Sequence, residues 1–176
     1  MNSERLVAMP AVATRPVRSE DLAAFERMWR RLSEETIYRR FHAPIKRLSL
    51  KLRRYLVDVD HVDHDALVAV AGGEVIAVAR YHRCADDPAA AEVAVLVEDA
   101  WQGRGLGVRM LRELASLASR RGIHVLTGDV QADNLPMLEL VQSLLGPAAL
   151  DARGALVHVS GSYGGAGEPR VSAPCA

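Results

Sequence analysis

Apolar residues at Leu22, Phe25, Met28, Trp29 and Leu32 recur at three- and four-residue intervals. That period predicts an amphipathic helix with all five on one buried stripe, started by Ser19 with Glu20 and Asp21. A short strand over 15–18 precedes it. Residues 33–41 read as a second short helix, and Pro44 breaks it before Leu48, Leu52, Tyr55 and Leu56 mark a third amphipathic segment. The pattern then turns to strands. Residues 66–71 and 74–81 are joined by Gly72-Gly73, a two-residue linkage that tight hairpins favour, and Asp86-Asp87-Pro88 turns the chain into a strand over 92–97. Leu106, Met110, Leu111, Leu114, Leu117 and Ala118 define one face of a longer helix that ends at Arg121-Gly122. A strand over 125–130 follows. Asn134 caps the next helix, with Pro136 in its first turn and Leu138, Val141 and Leu145 on its apolar face, and two short strands near 148–150 and 155–160 close the pattern.

This order gives an α/β fold: a mixed sheet with helices on both faces. A length of 176 residues with 49% hydrophobic content suits one domain, spanning 14–159, with flanks at 1–13 and 160–176 expected to be disordered. Arg5, Pro10, Arg15 and Pro16 interrupt the start, and no stretch approaches the ~20 apolar residues that span a bilayer, so a cytoplasmic protein without a membrane partner is expected. Cys84 and Cys175 make no metal or disulfide spacing and are expected to be thiols. A net charge of zero argues against a general nucleic-acid binder. Charge is nonetheless segregated: residues 15–56 carry twelve basic and five acidic side chains, residues 57–100 two basic and ten acidic. Wet helix faces or a partner patch would each produce that asymmetry.

The stretch Gln102-Gly103-Arg104-Gly105-Leu106-Gly107 sits between an apolar strand and an amphipathic helix. Glycines there let consecutive backbone N–H groups converge on a phosphate at the positive end of the helix. A Walker loop would need Gly-Lys-Ser/Thr where the chain has Gly107-Val108-Arg109, and a dinucleotide fingerprint counted from Gly103 or Gly105 ends on Val108 or Met110. What remains, Gln/Arg-x-x-Gly-x-Gly/Ala after a strand, resembles the cofactor loop of the GNAT superfamily of acetyl-CoA-dependent N-acetyltransferases. Residues 91–97, Asp99, Trp101-Gln102 and Asn134 extend the likeness, which covers roughly 14 to 159. Residues 32–41 and 59–64 are similar to segments of bacterial GNAT domains that acetylate protein lysines.

The resemblance implies a single GNAT domain: a mostly antiparallel, twisted sheet of about six or seven strands, splayed between the fourth and fifth. It implies acetyl-CoA as acyl donor, held by Val95, Leu96, Val97, Gln102, Gly103, Arg104, Gly105, Leu106, Gly107, Val108 and Asn134, with no metal. Glu92 is the expected general base, drawn nearer to neutral titration by burial beside the cleft, because a lysine amine of pKa ~10.4 must lose a proton before it attacks. A main-chain N–H around Leu96 is the expected donor to the thioester oxygen. The family's usual acid, a tyrosine seven residues after the asparagine, is Val141 here, so either the thiolate leaves without a dedicated acid or the proton comes from Tyr81, His82, Tyr38 or water. A protein lysine is the expected acceptor; a small free amine would use the same machinery. A non-catalytic acetyl-CoA-binding regulator is the alternative from another class. The run Asp58, Asp60, His61, Asp63, His64, Asp65 departs from a calcium loop and is expected to be a solvated turn.

Overall fold

The computed structural model describes residues 10–146 and 148–163. Its elements are β1 (Ala13–Pro16), α1 (Leu22–Trp29), α2 (Glu34–Phe41), α3 (Leu50–Val57), β2 (His64–Ala71), β3 (Glu74–Arg83), β4 (Ala90–Val97), α4 (Leu106–Ser119), β5 (Val125–Gln131), α5 (Leu135–Leu145), β6 (Ala149–Arg153) and β7 (Leu156–Ser162), with 3₁₀ turns at Ser19–Asp21 and Asp99–Trp101. The strands form one 7-stranded sheet in the order β1-β2-β3-β4-β5-β7-β6. Only β4 and β5 run parallel; the other pairs are antiparallel. The mixed, mostly antiparallel sheet read from the sequence is the sheet that forms.

Local chemistry sets the boundaries. The first strand lies earlier than expected, pairing Ala13 with Val70 through Pro16 with Leu67, and stops at a proline that has no N–H to continue the ladder. The next helix is started by Asp21 rather than Ser19: its carboxylate accepts the Arg18 N–H at 2.8 Å and two Arg15 bonds at 2.7 and 2.6 Å. Of the expected stripe, Phe25 and Met28 are buried, while Leu22, Trp29 and Leu32 are half-buried and Leu32 lies beyond the helix end. Ser33 caps α2 by accepting the Thr36 N–H at 3.1 Å, and His42 ends it in a left-handed conformation. Gly72 and Gly73 both take positive φ, which the tight β2–β3 turn requires.

Two cores flank the sheet. On one face Met110, Leu111, Leu114 and Ala118 of α4 pack onto Ala69, Ala77, Ala79 and Ala91, small residues that let the helix lie close. On the other, Phe25, Met28 and Leu56 cover Val68, Val78 and Leu96. The segregated charges meet across this second face, where Arg27 of α1 and Arg31 just past its end pair with Glu74, and Arg31 also pairs with Glu98. Ordered structure extends past both expected bounds, since β1 begins at Ala13 and β7 runs through Ser162; residues 1–9 and 164–176 of the expected tails lie outside the described residues. Cys84 is disulfide-bonded, not the free thiol expected, a bond that sequence spacing does not register; Cys175 lies outside the described residues. No helix among the described residues is long and apolar enough to cross a membrane.

Candidate active site

The strand pair β4–β5 is short. It joins Ala90 to Val125, Ala91 to Leu126 and Glu92 to Thr127, and past Glu92 the two strands separate. Two bonds fix the phase of β4: Cys84 N–H donates to the Ala90 carbonyl at 2.9 Å, and Glu98 N–H to the Ile76 carbonyl at 2.9 Å. Even-numbered residues therefore turn their backbone groups to β3, and Val93, Val95 and Val97 turn theirs to the gap. The expected donor around Leu96 narrows on this ground to its neighbours, since Leu96 itself stands opposite Val78 in the β3 ladder while Val95 and Val97 address the opening. Across the gap, a Cβ on Gly128 would stand 3.1 Å from the Val93 carbonyl oxygen, so glycine lets β5 pass close there.

The gap opens into a cleft of about 1040 Å³. Glu92, Val95, Leu96, Val97, Gln102, Gly103, Gly105, Leu106, Gly107, Val108 and Asn134 all line it; Arg104 does not. Gly103 and Gly105 have φ of 68° and 75°, and a Cβ on either would meet nothing within 4 Å. Gly105 precedes α4, and among the described residues no side chain caps the helix, so its first turn keeps the N–H groups that every helix start leaves without an intrahelical partner. That cradle fits an anionic group such as a diphosphate, and the unpaired β4 edge fits an extended chain carrying amides.

The α2 N-terminus is pinned over this loop. Asp99 accepts the Ser33 N–H at 3.0 Å, the Ser33 hydroxyl at 2.6 Å and the Thr36 hydroxyl at 2.9 Å. Burial works to raise the Asp99 carboxyl, and the hydrogen bonds from Ser33 and Thr36 outweigh it, holding the group below its usual range. Gln102 Nε2 donates to the Val97 carbonyl at 2.9 Å and to Thr36 Oγ1 at 3.1 Å. Its side chain thus ties strand, loop and helix together.

Glu92 stands where the β4–β5 ladder ends and is exposed to the cleft, not buried as anticipated. Asn134 makes no side-chain cap; its carbonyl accepts the Met137 and Leu138 N–H groups at 3.1 Å, so the expected capping role is not the one its side chain plays. Val141 lines the cleft, but Tyr81, His82 and Tyr38 do not. Tyr81 is fully buried, donating to the Val62 carbonyl at 2.9 Å and accepting from Arg121 at 2.7 Å. The acidic turn is organised by Asp60, which accepts N–H bonds from Val62, Asp63 and His64, bonds that hold its carboxyl below the usual range.

Sequence reasoning missed one group. Thr127 and Asp129 of β5 line the cleft, and His158 of β7 bridges them: Nε2 lies 2.9 Å from Thr127 Oγ1 and Nδ1 lies 2.8 Å from Asp129 Oδ1. The available signal was Thr127, Asp129 and Gln131, polar residues at alternate positions of an otherwise apolar strand. It needed the β5–β7 pairing to become legible.

These features define a class: a sheet split between two parallel strands, with a glycine-rich helix start at the mouth of the split. The profile of the Acetyltransferase (GNAT) family matches residues 23–146, and the chain belongs to that family. Acetyltransferase Pat of Mycolicibacterium smegmatis is 37% identical over 114 residues, covering 64% of this chain and 34% of that protein, so the chain matches about a third of its length. Acetyltransferase PA5475 of Pseudomonas aeruginosa is 33% identical over 137 residues, covering 76% of this chain and 73% of that protein. Among solved structures, the GNAT domain of S. lividans PAT superposes with a TM-score of 0.80 at 31% identity, covering 86% of this chain and 90% of that one. Acetyl-CoA, the acyl donor the family implies, is present in a fold neighbour from Salmonella typhimurium with a TM-score of 0.67 and 21% identity, which covers 92% of this chain and 99% of that one.

Proposed function

We propose that the domain transfers an acetyl group from acetyl-CoA to a lysine side chain of a protein, with Glu92 taking the ammonium proton. The observation that carries this reading is the placement of an exposed carboxylate at the closed end of the splay, opposite the glycine cradle at its mouth. Bound acetyl-CoA would supply an activated acyl thioester. For the chain's own part, N–H groups of Gly103 to Val108 would hold the diphosphate, and Val95, Val97 and Asn134 would engage the amide-bearing arm. The Val95 N–H addresses the gap near Glu92 and would stabilise the oxygen that gains charge as the amine attacks. Glu92, reached from solvent, would accept a proton directly or through water. A protein acceptor is favoured by the similarity of residues 32–41 and 59–64 to lysine-acetylating domains and by the likeness to Pat.

Glu92→Gln tests the base. The expected result is unchanged affinity for coenzyme A by calorimetry and a turnover lowered about 10²-fold at neutral pH, with the deficit shrinking as pH approaches the amine's own ~10.4. Equal turnover in the two proteins would remove Glu92 from the role. Labelled acetyl-CoA offered alongside folded proteins and free polyamines or aminoglycosides separates the acceptor classes. Val141 in place of the usual tyrosine favours one second reading, a domain that binds acetyl-CoA without turning it over. Binding with no transfer to any amine would select it.

A further inference from the structure

Resting on the reading of this cleft as an amine acetylation site, we propose that Asp129, His158 and Thr127 form a proton relay beside Glu92, a second acceptor for the proton that the incoming amine loses. The register brings the parts together. In the antiparallel β5–β7 pair Asp129 stands opposite His158, and in the parallel β4–β5 pair Thr127 stands beside Glu92, so all four side chains share one face of the sheet. Thr127 and Asp129 line the cleft, Asp129 exposed to it and Thr127 buried in its wall, with the imidazole buried behind them.

The chemistry follows from what each group can donate. The Asp129 carboxylate only accepts, so His158 Nδ1 carries a hydrogen toward it at 2.8 Å. A neutral ring then has its lone pair on Nε2, and the Thr127 hydroxyl donates to it at 2.9 Å. That leaves the lone pairs of Thr127 Oγ1 to receive a hydrogen from a group in the cleft. An ammonium N–H bond breaks as its proton passes to Oγ1, and the hydroxyl proton passes to Nε2, forming the imidazolium. The threonine is left neutral and unchanged. Asp129, with its side chain 43% exposed, faces the imidazolium and offsets the cost of placing that charge in a buried site. The imidazolium later returns its proton through the hydroxyl to water in the cleft. Among the described residues, Asp151 of β6 also stands opposite His158 and is held by Arg153 at 2.8 Å, while Glu92 of β4 stands beside Thr127. Threonine, histidine and aspartate here are positioning and relay residues, and the arrangement uses the same donor logic as a hydroxyl–imidazole–carboxylate triad.

A strand staple made of the same bonds would hold β5 to β7 without touching the reaction, so the test reads pH dependence and ring tautomer as well as rate. Thr127→Val keeps the branched shape and removes the hydroxyl. Its turnover with a lysine peptide is expected to fall about 10-fold at neutral pH and to recover as the amine approaches its pKa of ~10.4, with the affinity for coenzyme A unchanged. Combined with Glu92→Gln it should remove most of the turnover that the single Glu92 variant retains. Nitrogen NMR of labelled histidine in the wild-type protein is expected to show His158 with its hydrogen on Nδ1, and Asp129→Asn should disturb that preference. A pH–rate profile of Thr127→Val that superposes on wild type overturns the relay alone, as does a hydrogen on Nε2 in the resting protein. An acetyl group recovered on Thr127 after exposure to acetyl-CoA would make it a nucleophile and also overturn the relay. Wild-type protein that binds acetyl-CoA but acetylates no amine overturns the site reading itself, and the relay with it.

Discussion

Two polar networks built from similar parts lie in this sheet, one closed and one open. In the first, Asp65 is 1% exposed, accepts from Arg121 at 2.6 Å and from the Ala66 N–H at 2.8 Å, and lies 2.8 Å from His61 Nδ1. Arg121 goes on to Tyr81, whose hydroxyl ends on the Val62 carbonyl. The chain of donors is answered at both ends, and it ties β2 and β3 to the segment after α4. In the second, Asp129 is exposed at the cleft, and Thr127, buried in the cleft wall, is joined to it through His158. Burial pushes the Tyr81 hydroxyl up even against its bond from Arg121, so that group keeps its proton across the working range. A closed network spends its donors on the fold, whereas an open one leaves a lone pair for something that arrives.

The sharpest way to break this contrast is Asp65→Ala. Removing a buried carboxylate leaves Arg121 uncompensated, and a loss of about 3 kcal/mol in unfolding free energy is expected, read from urea denaturation. The folded fraction should keep the wild-type pH–rate profile. A shift in that profile would place the closed network in the reaction and erase the distinction between the two.

A smaller effect, on binding, is expected at the mouth of the cleft. Gly105→Val puts a β-branched residue at a φ of 75°, where L side chains are strained by roughly 1–2 kcal/mol, and fills space that is now open. The dissociation constant for coenzyme A should rise about 10-fold, about 1.4 kcal/mol, with Glu92 chemistry intact at saturating donor. Unaltered affinity in calorimetry would move the diphosphate away from this loop.

Most of the fold was legible because periodicity and turn chemistry act locally. The Gly72-Gly73 hairpin, the short helix near 33–41 and the apolar face of α4 are each written within a dozen residues or so. The loop at 103–108 was legible for the same reason. What escaped was whatever depends on which strands pair. Leu96 looked central to the splay until the β3 register assigned its N–H elsewhere, and the Thr127–His158–Asp129 chain joins residues from two strands that only the sheet order places together. Glu92 was expected to be buried beside the cleft, yet the separation of β4 from β5 starts at that residue and exposes it.

His82 sharpens the comparison from a third direction, because it belongs to neither network. It is the cross-strand neighbour of Glu92, its ring stacks on Tyr55 at 5.5 Å and lies 4.3 Å from His64, and its Nε2 has no hydrogen-bond partner among the described residues. Burial first, then the nearby Arg80 and His64 charges, push it down to about 4. In the unfolded chain an imidazole titrates near ~6.5 and takes up its proton first. His82 therefore contributes stability that is fully present above that value and is lost as pH falls through the folded value of about 4. The ring is half-exposed, so solvent screening makes this the mildest of the three effects. Urea midpoints measured between about pH 7 and pH 5 should fall with pH in the wild type and fall less steeply in His82→Gln, a window above most carboxylate titration. Parallel slopes would mean that the ring reaches solvent or an anion on protonation, which would make this corner of the sheet a third open site.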